Sequence, residues 1–192
     1  LNGKLDPDFV REVARLDDAT FRAWAVRLCR GQRLARVMAA DESPDVQLQL
    51  AVEYGRAGDA TALFNILSRF PHDLHLAQIV WRNLQSIEPK KIDSDDLVKI
   101  VSTQQVDVSP VWQALLPRMI DQWTSMPEGR KTADALLSAL LKSPENVRSK
   151  TFADCLVMVA NKIFSGELPL SEAAGFIALA GEAAQGNPTK EV

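Results

Sequence analysis

Apolar residues recur along the chain at helical spacing, in short blocks separated by glycine, proline and capping residues. In DDATFRAWAVRLCRG, residues 17–31, they fall at i, i+3, i+4 and i+7, which predicts a helix with one apolar stripe that ends at Gly31. Segments with the period of a strand are nearly absent, so we expect an all-α fold. The predicted stripe consists of Phe21, Trp24, Ala25 and Leu28.

This helical design repeats along the first half of the chain. The segment ESPDVQLQLAVEYGRAG has the same form, with a predicted stop at Gly55 or Gly58. Partner helices, RLARVMAA and DATALFNILSRF, lie between the repeated segments. Hairpin repeats of this length indicate a solenoid, because one hairpin cannot bury its apolar stripe without a stacked neighbour. A shift of 25 residues places 21–26 on 46–51, and a further shift of 28 places them on 74–79.

Beyond residue 89 the repeat loosens, but short amphipathic helices continue. We therefore predict a right-handed α-α superhelix, a HEAT/armadillo-like solenoid folded as one domain. Hairpin repeats occupy residues 1–88, less regular hairpins of the same solenoid occupy 89–184, and 185–192 form a polar tail. Pro117 is expected to kink the helix that contains it. The residues expected in the core include Trp24, Leu28, Leu50, Ile79, Trp81, Trp112 and Trp123.

Acidic residues cluster where helices are predicted to begin. Their carboxylates suit the free N–H groups and the positive end of the helix dipole, so we interpret them as caps rather than as catalytic pairs. The clusters are Asp17–Asp18, Asp41–Glu42 and Asp93, Asp95 and Asp96, and further helix starts are predicted at Ser43, Asp59, Ser94, Ser109 and Ser143.

The charge pattern weighs against nucleic acid as a partner for the whole surface. The chain of 192 residues has a net charge of −3, whereas phosphate binding favours a basic balance. Residues 1–36 nevertheless hold eight Lys or Arg against five Asp or Glu, a local +3. The alternative of a nucleic-acid-binding repeat rests on these arginines, which are Arg11, Arg15, Arg22, Arg27, Arg30, Arg33 and Arg36.

No catalytic or cofactor motif is present in the sequence. The spacing His72-x-x-His75 places two imidazoles one turn apart, but a zinc site needs further ligands, so we predict neither a metal nor another cofactor. Cys29 and Cys155 form no CxxC pair and are expected to be buried thiols, with one long-range disulfide as the alternative. No apolar run is long enough to span a membrane.

The repeat segments resemble a known family of proteins. FRAWAVRL, residues 21–28, and DVQLQLAVEYG, residues 45–55, are similar to HEAT-like repeats of large bacterial membrane-bound dehydrogenase/haem-binding proteins. In that family the repeats lie between a sugar-dehydrogenase-like propeller and a cytochrome c module. The resemblance implies that the chain is a helical segment of a larger, extracytoplasmic or periplasmic redox protein. Gln47 and His75 depart from the arginine usual at their repeat position.

We therefore expect a non-catalytic scaffold that binds flanking domains of a parent chain or a partner protein. Stacked helices would supply an extended surface for such contacts. The segment itself is not expected to be an enzyme. The residues predicted to form the interaction surface are Arg22, Arg27, Gln47, Glu53 and His75.

Overall fold

Short helices joined by tight turns form both halves of the chain in the computed structural model, which describes residues 6–29, 32–142 and 149–186. Within these residues there is no strand, which confirms the predicted all-α class. The chain divides into two compact units, Leu1–Glu88 and Pro89–Val192. The division falls where the sequence repeat loosens.

In the first unit, even-numbered helices pack on the helix two further along the chain. Helix α2 packs on α4, and α4 packs on α6, while α3 and α5 pack against α4. Packing between second neighbours is typical of helical hairpins stacked side by side. The helices are α1 (Pro7–Val13), α2 (Ala19–Cys29), α3 (Gln32–Met38), α4 (Pro44–Ala57), α5 (Ala60–Arg69) and α6 (Leu74–Leu84).

Helix starts give the spacing of the repeat. Helices α2, α4 and α6 begin at Ala19, Pro44 and Leu74, which gives shifts of 44 − 19 = 25 and 74 − 44 = 30 residues. The predicted second shift of 28 is therefore wrong by two. The reason is that α4 and α5 have 14 and 10 residues, whereas α2 and α3 have 11 and 7. In the corrected spacing His75 aligns with Asp45 rather than with Gln47.

The two candidate stop glycines of α4 have different roles. Gly58 ends the helix with φ 71°, a left-handed conformation that costs glycine little. Gly55 lies within α4 where α6 approaches, and a Cβ added there would lie 2.6 Å from Cβ of Asn83. The absence of a side chain at Gly55 therefore sets the separation of α4 and α6.

The second unit shows the same packing between second neighbours. Helix α7 packs on α9, α9 on α11, and α8 on α10. The predicted stripe of α8, from Trp112 to Trp123, is buried, and the helix continues through Pro117. The helices are α7 (Ser94–Ser102), α8 (Pro110–Ser125), α9 (Arg130–Lys142), α10 (Lys150–Ser165) and α11 (Ala174–Gly186).

The connection before α8 is tied to the start of α10 through Asp107. Its carboxylate accepts hydrogen bonds from the backbone N–H groups of Lys150 and Thr151, at 2.9 and 3.2 Å, and from the Thr151 hydroxyl at 2.8 Å. Burial raises the pKa of Asp107, but these hydrogen bonds outweigh it and hold the pKa below its ordinary value. Asp107 thus satisfies N–H groups of the first turn of α10, which have no partner within the helix.

Most of the predicted caps lie at helix starts. Asp18 accepts from Thr20 N–H, and Asp59 and Ser109 cap α5 and α8. Asp93, not Ser94, caps α7, because its carboxylate reaches the N–H groups of the next two acidic residues. Ser43 holds the N-cap position of α4 without a side-chain hydrogen bond. The predicted helix start at Ser143, the predicted stop at Gly31 and the tail from 187 onward lie outside the described residues. Helix α10 begins directly after its N-cap residue, Ser149.

Two of the expected core residues are on the surface. Trp24 is 50% exposed and Leu28 is 72% exposed, so their prediction as core is wrong. Of the predicted stripe, α2 buries only Ala25, together with the small residues Ala23 and Val26, which permits close packing on α4. Helical periodicity alone did not distinguish this face from the stripe of larger side chains. Leu50, Trp112 and Trp123 are buried as predicted, and Ile79 and Trp81 are half-buried.

We expect Gly55→Ala to destabilise the first unit by about 1–3 kcal/mol, because the added methyl group forces α4 away from α6. Urea denaturation gives the change, and hydrogen exchange locates it to the amides of α4 and α6. Gly181→Ala is the control. Position 181 lies in α11 with no atom near a new Cβ, so alanine there should be neutral or stabilising. An equal loss of unfolding free energy in both variants would contradict the explanation that the close approach of α4 and α6 requires glycine at position 55.

Candidate interaction surface

An ion pair joins α2 to the connection between α3 and α4. The Arg22 guanidinium donates through Nε to Oδ2 of Asp41 at 2.7 Å and through Nη2 to Oδ1 at 3.2 Å, a two-pronged contact. Both side chains are largely buried. The remaining nitrogen, Nη1, donates to the carbonyls of Leu16 and Asp17 before α2, at 2.7 and 2.9 Å. Arg22 therefore links three segments of the first unit.

The C-terminal end of α3 receives donors from two further helices. The Gln47 amide of α4 donates to the carbonyls of Ala39 and Asp41, at 3.2 and 2.6 Å. The Arg69 guanidinium of α5 donates to those carbonyls and to that of Ala40. Carbonyl groups beyond the last turn of a helix have no partner within it, and a cation is favourable there. These side chains together order residues 39–41.

The environment of Asp41 favours its charged form. Burial raises the pKa of the carboxyl group, but hydrogen bonds from Arg22 and from the backbone N–H of Ser43, with the positive charges of Arg22 and Arg69, outweigh burial and lower the pKa overall. The same pairing raises the pKa of Arg22. Both groups are therefore ionised near neutral pH.

The five residues predicted for the interaction surface lie in four different environments. Arg22 belongs to the ion pair just described and is largely buried there. Gln47 is fully buried, so it contributes to the α3–α4 junction rather than to an exposed surface. His75 is exposed in the first turn of α6. Only Arg27 and Glu53 line an open groove together.

This groove runs between α2 and α4 and has two adjoining parts. The first, of about 220 Å³, is lined by Trp24 and Arg27 of α2 and by Asp45 and Gln49 of α4, among others. The second, of about 270 Å³, continues from Arg27 to Glu53 and Arg56. We call the two together the α2–α4 groove.

An aromatic ring and a cation stack at the rim of the α2–α4 groove. The Arg27 guanidinium carbon lies 5.2 Å from the centre of the Trp24 ring, a cation–π contact. On the α4 side, Arg56 Nη1 donates to Oε1 of Glu53 at 2.5 Å. The groove thus combines one half-exposed ring with two cations and two carboxylates, which suits a mixed polar and apolar ligand.

Three of the N-terminal arginines have partners among the described residues. Arg11 pairs with Asp8, Arg22 pairs with Asp41, and Arg27 stacks on Trp24. Arg36 is exposed in the last turn of α3. The side chains of Arg30 and Arg33 lie outside the described part of the chain.

The described residues show no arrangement for metal binding. His72 and His75 are both exposed, and no three His, Cys, Asp or Glu side chains in the ranges that the structure covers lie where they could hold a metal ion. Cys155 is a free, buried thiol, as predicted. Burial raises the pKa of Cys155 to about 12, with a smaller contribution from the nearby carboxylate of Asp154, which opposes thiolate formation. The side chain of Cys29 lies outside the described residues.

The second unit contains a buried lysine that local sequence patterns did not reveal. Lys162 of α10 donates to the backbone carbonyl and to Oδ1 of Asp121, at 2.8 and 2.7 Å, and to the Ser125 hydroxyl. These contacts occupy all three ammonium protons. Its partners lie 41 and 37 residues away, so only the packing of α8 on α10 brings them together.

No family model, no curated protein and no solved structure matches the chain. The resemblance based on residues 21–28 and 45–55 therefore stays a prediction. Among the described helices, none is both long and apolar enough to cross a membrane.

We expect Asp41→Asn and Arg22→Met each to cost about 2 kcal/mol, because each leaves a buried partner without its charge-assisted hydrogen bonds. The double variant should cost less than the sum of the two. The lowered pKa of Asp41 gives stability that is present above its unfolded value of 3.8 and lost as the pH falls through the folded pKa. Denaturation between pH 7 and pH 3 measures this loss, which Asp41→Asn should reduce.

The exposed pair of Asp8 and Arg11 provides the control for that experiment. Asp8→Asn should change the free energy of unfolding by roughly 0–0.5 kcal/mol, since exposed ion pairs contribute little. Additive effects of Asp41→Asn and Arg22→Met would show that the two side chains are not coupled.

Asp134 of α9 should give the opposite dependence on pH. One of its carboxylate oxygens, Oδ1, is buried without a hydrogen-bond partner, and a Cβ on Gly175 of α11 would lie 2.6 Å from it. Burial raises the pKa of Asp134. Its protonated form therefore favours folding below the unfolded value of 3.8, and this contribution is lost as the pH rises through the folded pKa.

We expect Asp134→Ala to stabilise the second unit at pH 7 by about 0.5–1 kcal/mol, from helix propensity and removal of the buried charge. Denaturation at pH 7 and pH 4 tests this expectation. The gain should shrink at pH 4, where the wild-type carboxyl group becomes protonated. A loss of stability at pH 7 would show that Asp134 has a stabilising partner in solution.

Proposed function

We propose that this chain is a non-catalytic helical-repeat scaffold whose hairpins form a right-handed HEAT/armadillo-like superhelix. Packing between second-neighbour helices within each unit supports this proposal. The scaffold binds flanking domains of a larger parent chain or a partner protein. Through the resemblance of residues 21–28 and 45–55, we further propose that the parent is an extracytoplasmic redox protein of the dehydrogenase/cytochrome c type.

The observation that carries the proposal is an uncovered apolar edge of α2. Phe21, Val46 and Leu76 are each the third residue of their helix, in α2, α4 and α6 respectively. Val46 and Leu76 are buried. Their helices are covered on one side by a preceding helix, since α2 packs on α4 and α4 packs on α6. Phe21 is 64% exposed. An apolar position that is covered in two repeats is thus open in the first.

Leu28 extends the same apolar edge by two helical turns. It lies seven residues after Phe21, so both side chains fall on one side of α2. Exposure of two large apolar side chains on one side of a helix is typical of an interface. Covering this edge with another helix would repeat the contact that α2 makes with α4.

The test places the photo-crosslinking residue benzoylphenylalanine at Phe21 in the full natural gene product. We expect irradiation to give one defined crosslink to a helical segment of the parent chain or of a partner protein, identified by mass spectrometry. The same residue at exposed Asn65 of α5 is the control and should give no defined product. Absence of a defined crosslink from position 21 would contradict a scaffold role for this edge.

The second candidate, nucleic-acid binding, is favoured by one observation, the stacking of Arg27 on half-exposed Trp24. Exposed rings beside cations bind single-stranded bases. This candidate predicts that the protein shifts the electrophoretic mobility of single-stranded DNA and that salt weakens the shift. The double variant Arg27→Ala, Arg30→Ala should abolish it. We favour the scaffold because Asp45 and Glu53 line the same groove and would repel phosphates.

A further inference from the structure

A second groove lies in the unit Pro89–Val192, between α8 and α10. It has a volume of about 430 Å³, and its lining includes Asp121 of α8, Asp154, Val157 and Met158 of α10, and Glu167 beyond the end of α10. Lys162 forms part of its wall. Polar and apolar side chains thus meet along one face of α10, which we call the α10 face.

The α10 face has excess negative charge. The Lys162 ammonium lies 2.7 Å from Oδ1 of Asp121, so these two charges compensate each other. Asp154 and Glu167 remain, and the structure shows for Glu167 only a 3.3 Å hydrogen bond from the Ser165 hydroxyl. Both side chains are exposed. The lining therefore has two carboxylates that no cation of the groove neutralises.

Large apolar side chains lie beside these carboxylates. Val157 is 59% exposed and Phe164 is 87% exposed. They are seven residues apart on α10, on the same side of the helix and about 10 Å apart along its axis. Met158 adds an apolar side chain to the lining of the groove. This spacing matches the apolar stripe of a helix that lies along α10.

We propose that the α10 face binds a cationic amphipathic helix of a protein partner. Its apolar stripe would pack on Val157 and Phe164, and its lysine or arginine side chains would pair with Asp154 and Glu167. Charge complementarity selects this occupant, because an acidic or nucleic-acid ligand would meet two uncompensated carboxylates. The residues are separate from those of α2, so this proposal does not depend on the function proposed for that edge.

The test titrates the full chain into a fluorescein-labelled 18-residue helical peptide of leucine and lysine, with all leucines on one face. We expect saturable binding by fluorescence anisotropy. The double variant Asp154→Asn, Glu167→Gln should weaken binding about fivefold and reduce its salt dependence. Phe164→Ser should weaken it about tenfold, through lost apolar contact.

Two controls separate this site from general attraction between opposite charges. The double variant Asp95→Asn, Glu128→Gln removes the same charge from exposed positions elsewhere in the unit and should leave the affinity unchanged. A peptide of the same composition with its leucines scattered around the helix should bind at least tenfold more weakly. Equal effects of the two double variants, equal binding of both peptides, or no saturable binding would overturn the proposal.

Discussion

The ion pair between Arg22 and Asp41 is the contact on which the geometry of the first unit depends. The connection between α3 and α4 exposes backbone carbonyls at the end of a seven-residue helix, which is too short to be stable alone. Arg22, Gln47 and Arg69 bring donors to this connection from three other helices. The carbonyls of residues 39–41 therefore have partners, and Arg22 ties α2 to this connection.

In the second unit, too, a side chain from a distant segment satisfies backbone groups at a helix end, here the N-terminal end of α10. Asp107 accepts from N–H groups of the first turn of α10, so a carboxylate from one connection fixes the position of a helix 43 residues away. Lys162 then joins α10 to α8 through Asp121 and Ser125. In both units, polar contacts between distant segments add to the apolar packing of the helices.

Helices α2 and α10 each have an exposed face with large apolar side chains. Helix α2 has large apolar residues on the side away from its buried alanines, and α10 has Val157 and Phe164 beside carboxylates. We propose that these surfaces serve binding, because large apolar side chains lie exposed on both. The α2–α4 groove, with its stacked tryptophan and arginine, provides a third surface of mixed character.

Local sequence patterns determined the helices and most of their ends. Capping residues such as Asp59 and Ser109, and a glycine such as Gly58, act within one turn, so their effect is readable from neighbouring residues. The buried stripe of α8 was equally predictable, because one face is far more apolar than the others. The tertiary structure decided which face α2 buries, since packing on α4 favoured small side chains over Trp24 and Leu28. It also decided the partners of Arg69, Asp107 and Lys162, because contacts across roughly 30 to 40 residues depend on how helices stack and leave no periodic signal in the chain.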